Sequence, residues 1–245
     1  MTVKLASASI DERGKAIGGK AGDQTAREVK IQNYYNHSKG WRVFRAIDKA
    51  TAEKIAYDAE AAAHNNKIGY DQGQRQTLYN AAAKVGFDCA KVVTPCETDC
   101  SALVRVCLAY AGISVPAAFR TSNEGNYLLN SGHFVELTDE KYTKGGEYLR
   151  RGDILCTKTQ GHTVVVISDG KYSYDTSPLN PQYVEVTAKS VNVRTAPNIN
   201  GRVLGVVYKG NKLIYQGVTD VTTGWHLVVY QTQNGWITPK YTRLV

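Results

Sequence analysis

The amino-acid sequence predicts an α+β domain, with helices packed on an antiparallel sheet, followed by a small all-β barrel. Three observations predict it. Apolar residues recur at helical spacing as far as Gly112, the period shortens to that of strands between 134 and 175, and helical signals vanish after Tyr183. Helices first and a sheet second is the order of an α+β unit.

The stretch 42–64 carries Val43, Phe44, Ile47, Ala50 and Ile55 among many alanines, with no Gly or Pro, and predicts a long helix. Residues 74–85 repeat the trend with Leu78, Ala81, Ala82 and Val85. A third helix begins near Cys100, where Leu103, Val104, Cys107, Leu108 and Ala111 recur at three and four residues and Gly112 supplies a stop. Segments 134–137, 153–156, 162–167 and 172–175 are short, β-rich and separated by Gly or Asp turns. Asp169-Gly170 favours a tight hairpin, whose register pairs Val166 with Ser173 and Val164 with Asp175. That alternation puts Asp175 on the sheet face of His162 and Tyr174 on the other. Pro178 and Pro181 then punctuate the chain, so the expected domains are 1–180 and 184–245. Strands of the second, separated by Gly turns, suit a small barrel.

Composition narrows the function. The 245 residues include 30 Lys and Arg against 22 Asp and Glu, a net charge of +8, with 42% hydrophobic residues, which excludes a disordered chain. No apolar run approaches the ~20 residues of a membrane-spanning helix. The amino terminus lacks the apolar core of a secretory signal, so the expectation is a protein made in the cytoplasm without classical export. Residues 184–245 hold seven Lys or Arg against Glu185 and Asp220, five of the eight net positive charges. No stacking motif or basic helix supports nucleic-acid binding. The five cysteines (Cys89, Cys96, Cys100, Cys107, Cys156) contain no C-x-x-C pair, which argues against structural zinc; a Cys89–Cys96 disulfide is left open.

Chemistry concentrates at Asp99-Cys100-Ser101 and Gly161-His162. Cys100 opens the third helix, where Thr98 or Asp99 can cap and free N–H groups favour negative charge. A thiol there is expected to have a lowered pKa, and the same N–H groups can stabilise an oxyanion. Asp99 and Ser101 read as helix-start supports. The thiol needs an imidazole, and His162, at the head of the apolar strand Thr163-Val-Val-Val-Ile, has the best setting; His133 is the rival. Asp175 is the candidate for orienting the ring.

These residues resemble a known family. Asp99-Cys100-Ser101-Ala-Leu-Val, then Arg151-Gly-Asp-Ile-Leu, then Gly161-His162-Thr-Val-Val-Val is similar to the ordered motifs of the NlpC-type papain-like cell-wall hydrolases, with the related CHAP amidases and endopeptidases sharing the Cys-then-His order. Ala102 stands where that family has glycine. Val92-Val-Thr-Pro-Cys-Glu-Thr occupies the place of an aromatic-x-x-Gly-Gly segment, and the usual third catalytic histidine falls on Tyr174, beside Asp175. The resemblance covers about residues 75–177 and implies a papain-like fold, Cys100 as nucleophile, His162 as base, and an amide of peptidoglycan as substrate, with no metal or organic cofactor.

The remainder, from Val186-Thr-Ala-Lys-Ser-Val-Asn-Val-Arg-Thr-Ala-Pro through Gly224-Trp-His-Leu-Val to Asn234-Gly-Trp-Ile-Thr-Pro-Lys-Tyr, resembles the bacterial SH3-like domain. This resemblance implies an SH3-like barrel that holds the chain on the cell wall, with Tyr208, Trp225 and Trp236 as candidate wall-binding residues. The combined expectation is a phage endolysin-like cysteine hydrolase acting on stem peptides or cross-bridges, with endopeptidase cleavage favoured over cleavage of the muramoyl–alanine amide. It would be made in the host cytoplasm and reach the wall after release, with neither membrane insertion nor nucleic acid involved. The alternative is a non-catalytic wall-binding or phage tail protein.

Overall fold

A computed structural model of the chain describes residues 2–173, 183–231 and 233–245. It divides into two compact units, Met1–Tyr127 with Leu137–Asp175, and Leu128–Glu136 with Thr176–Val245. The linker expected at 178–184 falls mostly outside the described residues.

The first unit begins with strands, where the sequence showed no element. β1 (Lys4–Ala8), β2 (Val29–Asn33) and β3 (Trp41–Ala46) precede α1 (Lys49–His64). Next in the chain come β4 (Ile68–Tyr70), α2 (Thr77–Ala83), β5 (Cys96–Thr98), α3 (Cys100–Tyr110), α4 (Glu124–Asn130) and β6 (Phe134–Leu137), the last two of which run into the stretch grouped with the second unit, then α5 (Glu140–Thr143), β7 (Ile154–Thr157) and β8 (Thr163–Val166). The six-stranded sheet has the order β2-β1-β8-β7-β3-β6, and β4 and β5 form a separate parallel pair.

Two expectations about this unit need correction. The predicted helix over 42–64 is a strand followed by a helix. Residues from Trp41 to Phe44 pair with those from Thr157 back to Ile154, so a ladder to β7 overrides the helical spacing of Val43, Phe44 and Ile47. The helix starts only after Asp48, whose side chain accepts the Thr51 N–H at 2.7 Å. The second correction concerns the hairpin at Asp169-Gly170. β8 is an inner strand whose edges are taken by β1 (Leu5 opposite Val166) and β7 (Ile154 opposite Val165), so no edge remains for a strand at 172–175. Residues 171–173 form a turn instead, in which Tyr172 N–H donates to Glu147 C=O.

The Arg151-Gly-Asp motif is structural. Gly152 adopts φ +93°, and a Cβ there would lie 2.4 Å from the Ala52 carbonyl oxygen of α1. Asp153 is buried and accepts two bonds from the Arg45 guanidinium, at 2.7 and 2.6 Å, and one from Arg150 N–H at 2.8 Å. It ties β3 to the start of β7. All five cysteines are free thiols, so Cys89 and Cys96 are not bridged. The Cys89 sulfur instead lies 3.3 Å from the buried Asp58 carboxylate, whose pKa burial pushes up to about 6.

The second unit carries β9 (Tyr183–Val186), β10 (Ser190–Arg194), β11 (Val203–Tyr208), β12 (Lys212–Thr219), β13 (His226–Tyr230), β14 (Gln233–Ile237) and β15 (Thr242–Leu244). Val184, Val186, Val191, Val193, Val207, Val228 and Ile237 form its core. The predicted closed barrel is not what these strands make. Their order is β11-β10-β14-β13-β12-β9-β15, an open sheet. Three-residue β15 pairs with β9 and β11 pairs with β10, but no ladder joins β15 to β11 among the described residues. A shift of register in β12 between Tyr215 and Thr219 lets that strand serve β9 at one end and β13 at the other, so the open sheet still surrounds one core.

Candidate active site

Cys100 is the first residue of α3 and is 8% exposed. Asp99 caps the helix. Its Oδ1 accepts Ala102 N–H at 2.6 Å and Ser101 Oγ–H at 3.0 Å, while Oδ2 accepts Arg75 Nε–H. Arg75 also donates to Ser101 Oγ and to the Phe119 carbonyl, so the turn bearing the thiol is braced on three sides. Helix-start geometry alone would lower the thiol pKa. Here burial outweighs it and, with Asp99 and Glu124 adding negative charge, pushes Cys100 up to about 12. The backbone N–H groups of Thr163 and Ser101 act in the opposite direction by donating to the sulfur. The expected depressed pKa is thus replaced by a thiol that stays protonated in the free protein.

The N–H of Thr163 follows directly on His162, which ends the β7–β8 turn. Gly161 in that turn adopts φ +136°, which a side chain would strain. Thr157 Oγ1 accepts the His162 N–H at 3.2 Å and Thr157 N–H donates to the His162 carbonyl at 3.0 Å, which fixes the backbone. The ring lies 6.4 Å from Trp41 and 6.3 Å from His37, and its Nε2 is 3.2 Å from Ser7 Oγ. Burial, with His37 and Lys30 adding positive charge, lowers the His162 pKa to about 4, so the imidazole is neutral over the ordinary pH range.

Asp175, the expected orienting group, lies outside the described residues, as does Tyr174, and the hairpin that argued for Asp175 is absent. Ser7 holds the ring nitrogen instead. It sits on β1, beside β8 in the sheet, and Ser9 Oγ at 2.8 Å extends the bond. No local pattern marks Ser7, because its role follows from a pairing between distant parts of the chain.

Two further groups were missed. Tyr70 ends β4, the neighbour of the strand leading into Cys100, and burial, with Cys100 next among the causes, raises its pKa. The run Tyr70-Asp-Gln-Gly73 is a readable signal, since it is an aromatic-x-x-Gly element upstream of Val92-Val-Thr-Pro-Cys-Glu-Thr. Glu124, at the start of α4, is fully buried; its Oε1 accepts Thr163 Oγ–H at 2.7 Å, and Oε2 has no N–H or O–H partner beside the Cys156 thiol. Burial raises its pKa to about 8, so the carboxyl is mostly neutral at pH 7. An ordinary carboxyl ionises near 4.5 once unfolded, so the folded state holds an extra proton between about pH 4.5 and 8 and loses stability as pH rises through that window. Glu124→Gln removes this term, and its stability advantage over the parent grows to the order of a few kcal/mol by pH 9, read from urea unfolding at pH 5 and pH 9. Parallel pH curves would show Glu124 to be ionised in the fold.

Among the described residues no set of three or more His, Cys, Asp or Glu converges as metal ligands would. No helix among them is long and apolar enough to cross a membrane.

Residues 5–173 match the endolysin-like domain family. The chain belongs to that family. The endolysin-like domain spans both motifs, Asp99-Cys100-Ser101 and Gly161-His162, together with the β1 strand that bears Ser7, and its membership identifies a hydrolase of the kind that acts on peptidoglycan. Downstream of the endolysin-like domain, residues 189–243 match the bacterial SH3 domain family. No curated protein matches the chain.

Of the expected wall-binding residues, Trp225 is mostly buried, at 8% exposure, Trp236 is half-buried and Tyr208 is 61% exposed on β11.

Proposed function

We propose that the chain is a cysteine peptidoglycan endopeptidase in which Cys100 is the nucleophile and His162 the general base. The reading is supported by the Asp99-capped start of α3, which carries Cys100, and by the match to the endolysin-like domain family over the segment that holds both Cys100 and His162. If Nε2–H donates to Ser7, Nδ1 carries the lone pair and is available to the thiol. Both partners start neutral, so the proton leaves sulfur for His162 as the sulfur–carbon bond forms rather than beforehand. Backbone N–H groups at the start of α3 stabilise the oxyanion, and the imidazolium returns its proton to the departing amine. Water activated by His162 then hydrolyses the thioester. Ser7 positions the ring, and Asp99 and Ser101 hold the helix start.

The SH3 domain keeps the enzyme on the wall, where its excess of Lys and Arg is attracted to anionic polymer. A phage-type lytic role, with synthesis in the host cytoplasm and action after release, suits this pairing. Mass spectrometry of the fragments released from purified Gram-positive walls tests the bond. New amino termini inside the stem peptide or cross-bridge are expected. Whole stem peptides freed at their first residue from the glycan would overturn the endopeptidase reading in favour of an amidase.

A further inference from the structure

The SH3 domain holds a cleft of about 350 Å³, within the size range of small-ligand sites. Ile199, Trp225 and Tyr241 give it apolar walls, Arg194 and Lys240 give it two cations, and no carboxylate is among its lining side chains. These residues are held from several directions. Arg194 lies on β10 opposite Trp236 of β14, and its Nη1 donates to the Gly201 carbonyl at 2.9 Å, which fixes the guanidinium plane. The loop bearing Ile199 is closed by Asn198, whose side chain accepts the N–H groups of Asn200 and Gly201, and Ile199 stands 75% exposed. Lys240 and Tyr241 come from a short 3-10 helix at Pro239–Tyr241, with the ammonium 5.3 Å from the Tyr241 ring centre. Trp225, barely exposed, is a wall of this cleft rather than a projecting platform.

We propose that the cleft binds the carboxylate-bearing end of a short peptide. Arg194 and Lys240 take the carboxylate, and Ile199, Trp225 and Tyr241 cover the adjoining apolar side chain. Among the described residues lining the cleft no carboxylate balances the two cations, which calls for an anion, and the apolar walls favour a peptide end over a polyphosphate chain, which has no apolar group to bury there. The inference rests on the wall-acting reading above and refines it, because uncrosslinked stem peptides present such ends.

The test uses the full chain carrying Cys100→Ala, so that nothing is cleaved, and calorimetric titration with a synthetic stem peptide ending in a free carboxylate, the same peptide ending in an amide, and a glycerol-phosphate polymer. The free acid is expected to bind at least about tenfold more tightly than the amide. Lys240→Gln should remove most of that difference, and Ile199→Ser should weaken both peptides. Both side chains are exposed, and unchanged thermal unfolding checks that the variants fold. Equal binding of acid and amide, unchanged binding by the variants, or binding of the polymer alone would overturn the proposal. Sedimentation with purified walls separates the two readings. If parent and variants bind walls equally, only the cleft assignment fails; if the parent binds no walls, the targeting role fails with it.

Discussion

Replacing Cys100 with alanine lowers the rate of wall solubilisation by at least about a thousandfold, as loss of the nucleophile does in other acyl-transfer enzymes. Turbidity of purified walls reads this directly. The fold should survive, because the alanine is smaller than the buried thiol and the Asp99 cap and the Arg75 brace do not involve the sulfur. Ser7→Ala is the graded comparison. It leaves the thiol and the imidazole in place and removes the hydroxyl that links Nε2 to Ser9 Oγ, so a loss of about ten- to a hundredfold in kcat is expected with little change in wall binding. Its pH profile should also change, since the ring would then be free to take either tautomer. Full activity in Cys100→Ala would remove this residue from the mechanism.

Asp153→Ala destabilises the first unit by about 3–5 kcal/mol. The Arg45 guanidinium has 4% side-chain exposure and Asp153 has 1%, so deleting the carboxylate strands a charge left, among the described residues, with the Tyr148 carbonyl and the face of the Tyr142 ring. Urea unfolding measures the loss. Exchanging both residues together, Arg45→Met with Asp153→Leu, should be much less damaging than Asp153→Ala alone, because it removes the buried charge as well as its partner. If the double variant is the less stable of the two, the pair contributes more than mutual neutralisation. The motif Arg151-Gly-Asp thereby acquires a physical meaning: glycine for the approach to α1, aspartate for Arg45.

Features legible in the sequence are those whose cause is local. Helix α3 announced itself through apolar spacing, an acidic cap and Gly112, whose φ of +88° suits the position after a helix. The strands at 154–157 and 163–166 followed from short β-branched runs. Features that depend on distant partners stayed hidden. β3 was read as helix because its alternation is brief and an alanine-rich helix follows, and only the ladder to β7 decides between the two periods. Asp169-Gly170 signals a hairpin locally, but β1 fills the edge of β8 that such a hairpin needs. Ser7 and Glu124 share that origin: each is an unremarkable residue until the fold sets Ser7 against the His162 ring and Glu124 near the thiol. In the second domain the strands could be read from their glycines and valines, but closure depends on whether two end strands meet, and β11 and β15 do not.

The position of β1 has a consequence for how the enzyme comes into being. β1 finds one of its two neighbours only when Leu5 meets Val166, about 160 residues later in the chain. Joining such remote segments is entropically slow, so the sheet is completed late. A chain cut short before β8 therefore lacks an inner strand of the sheet, and the edges of β1 and β7 that β8 covers stay open.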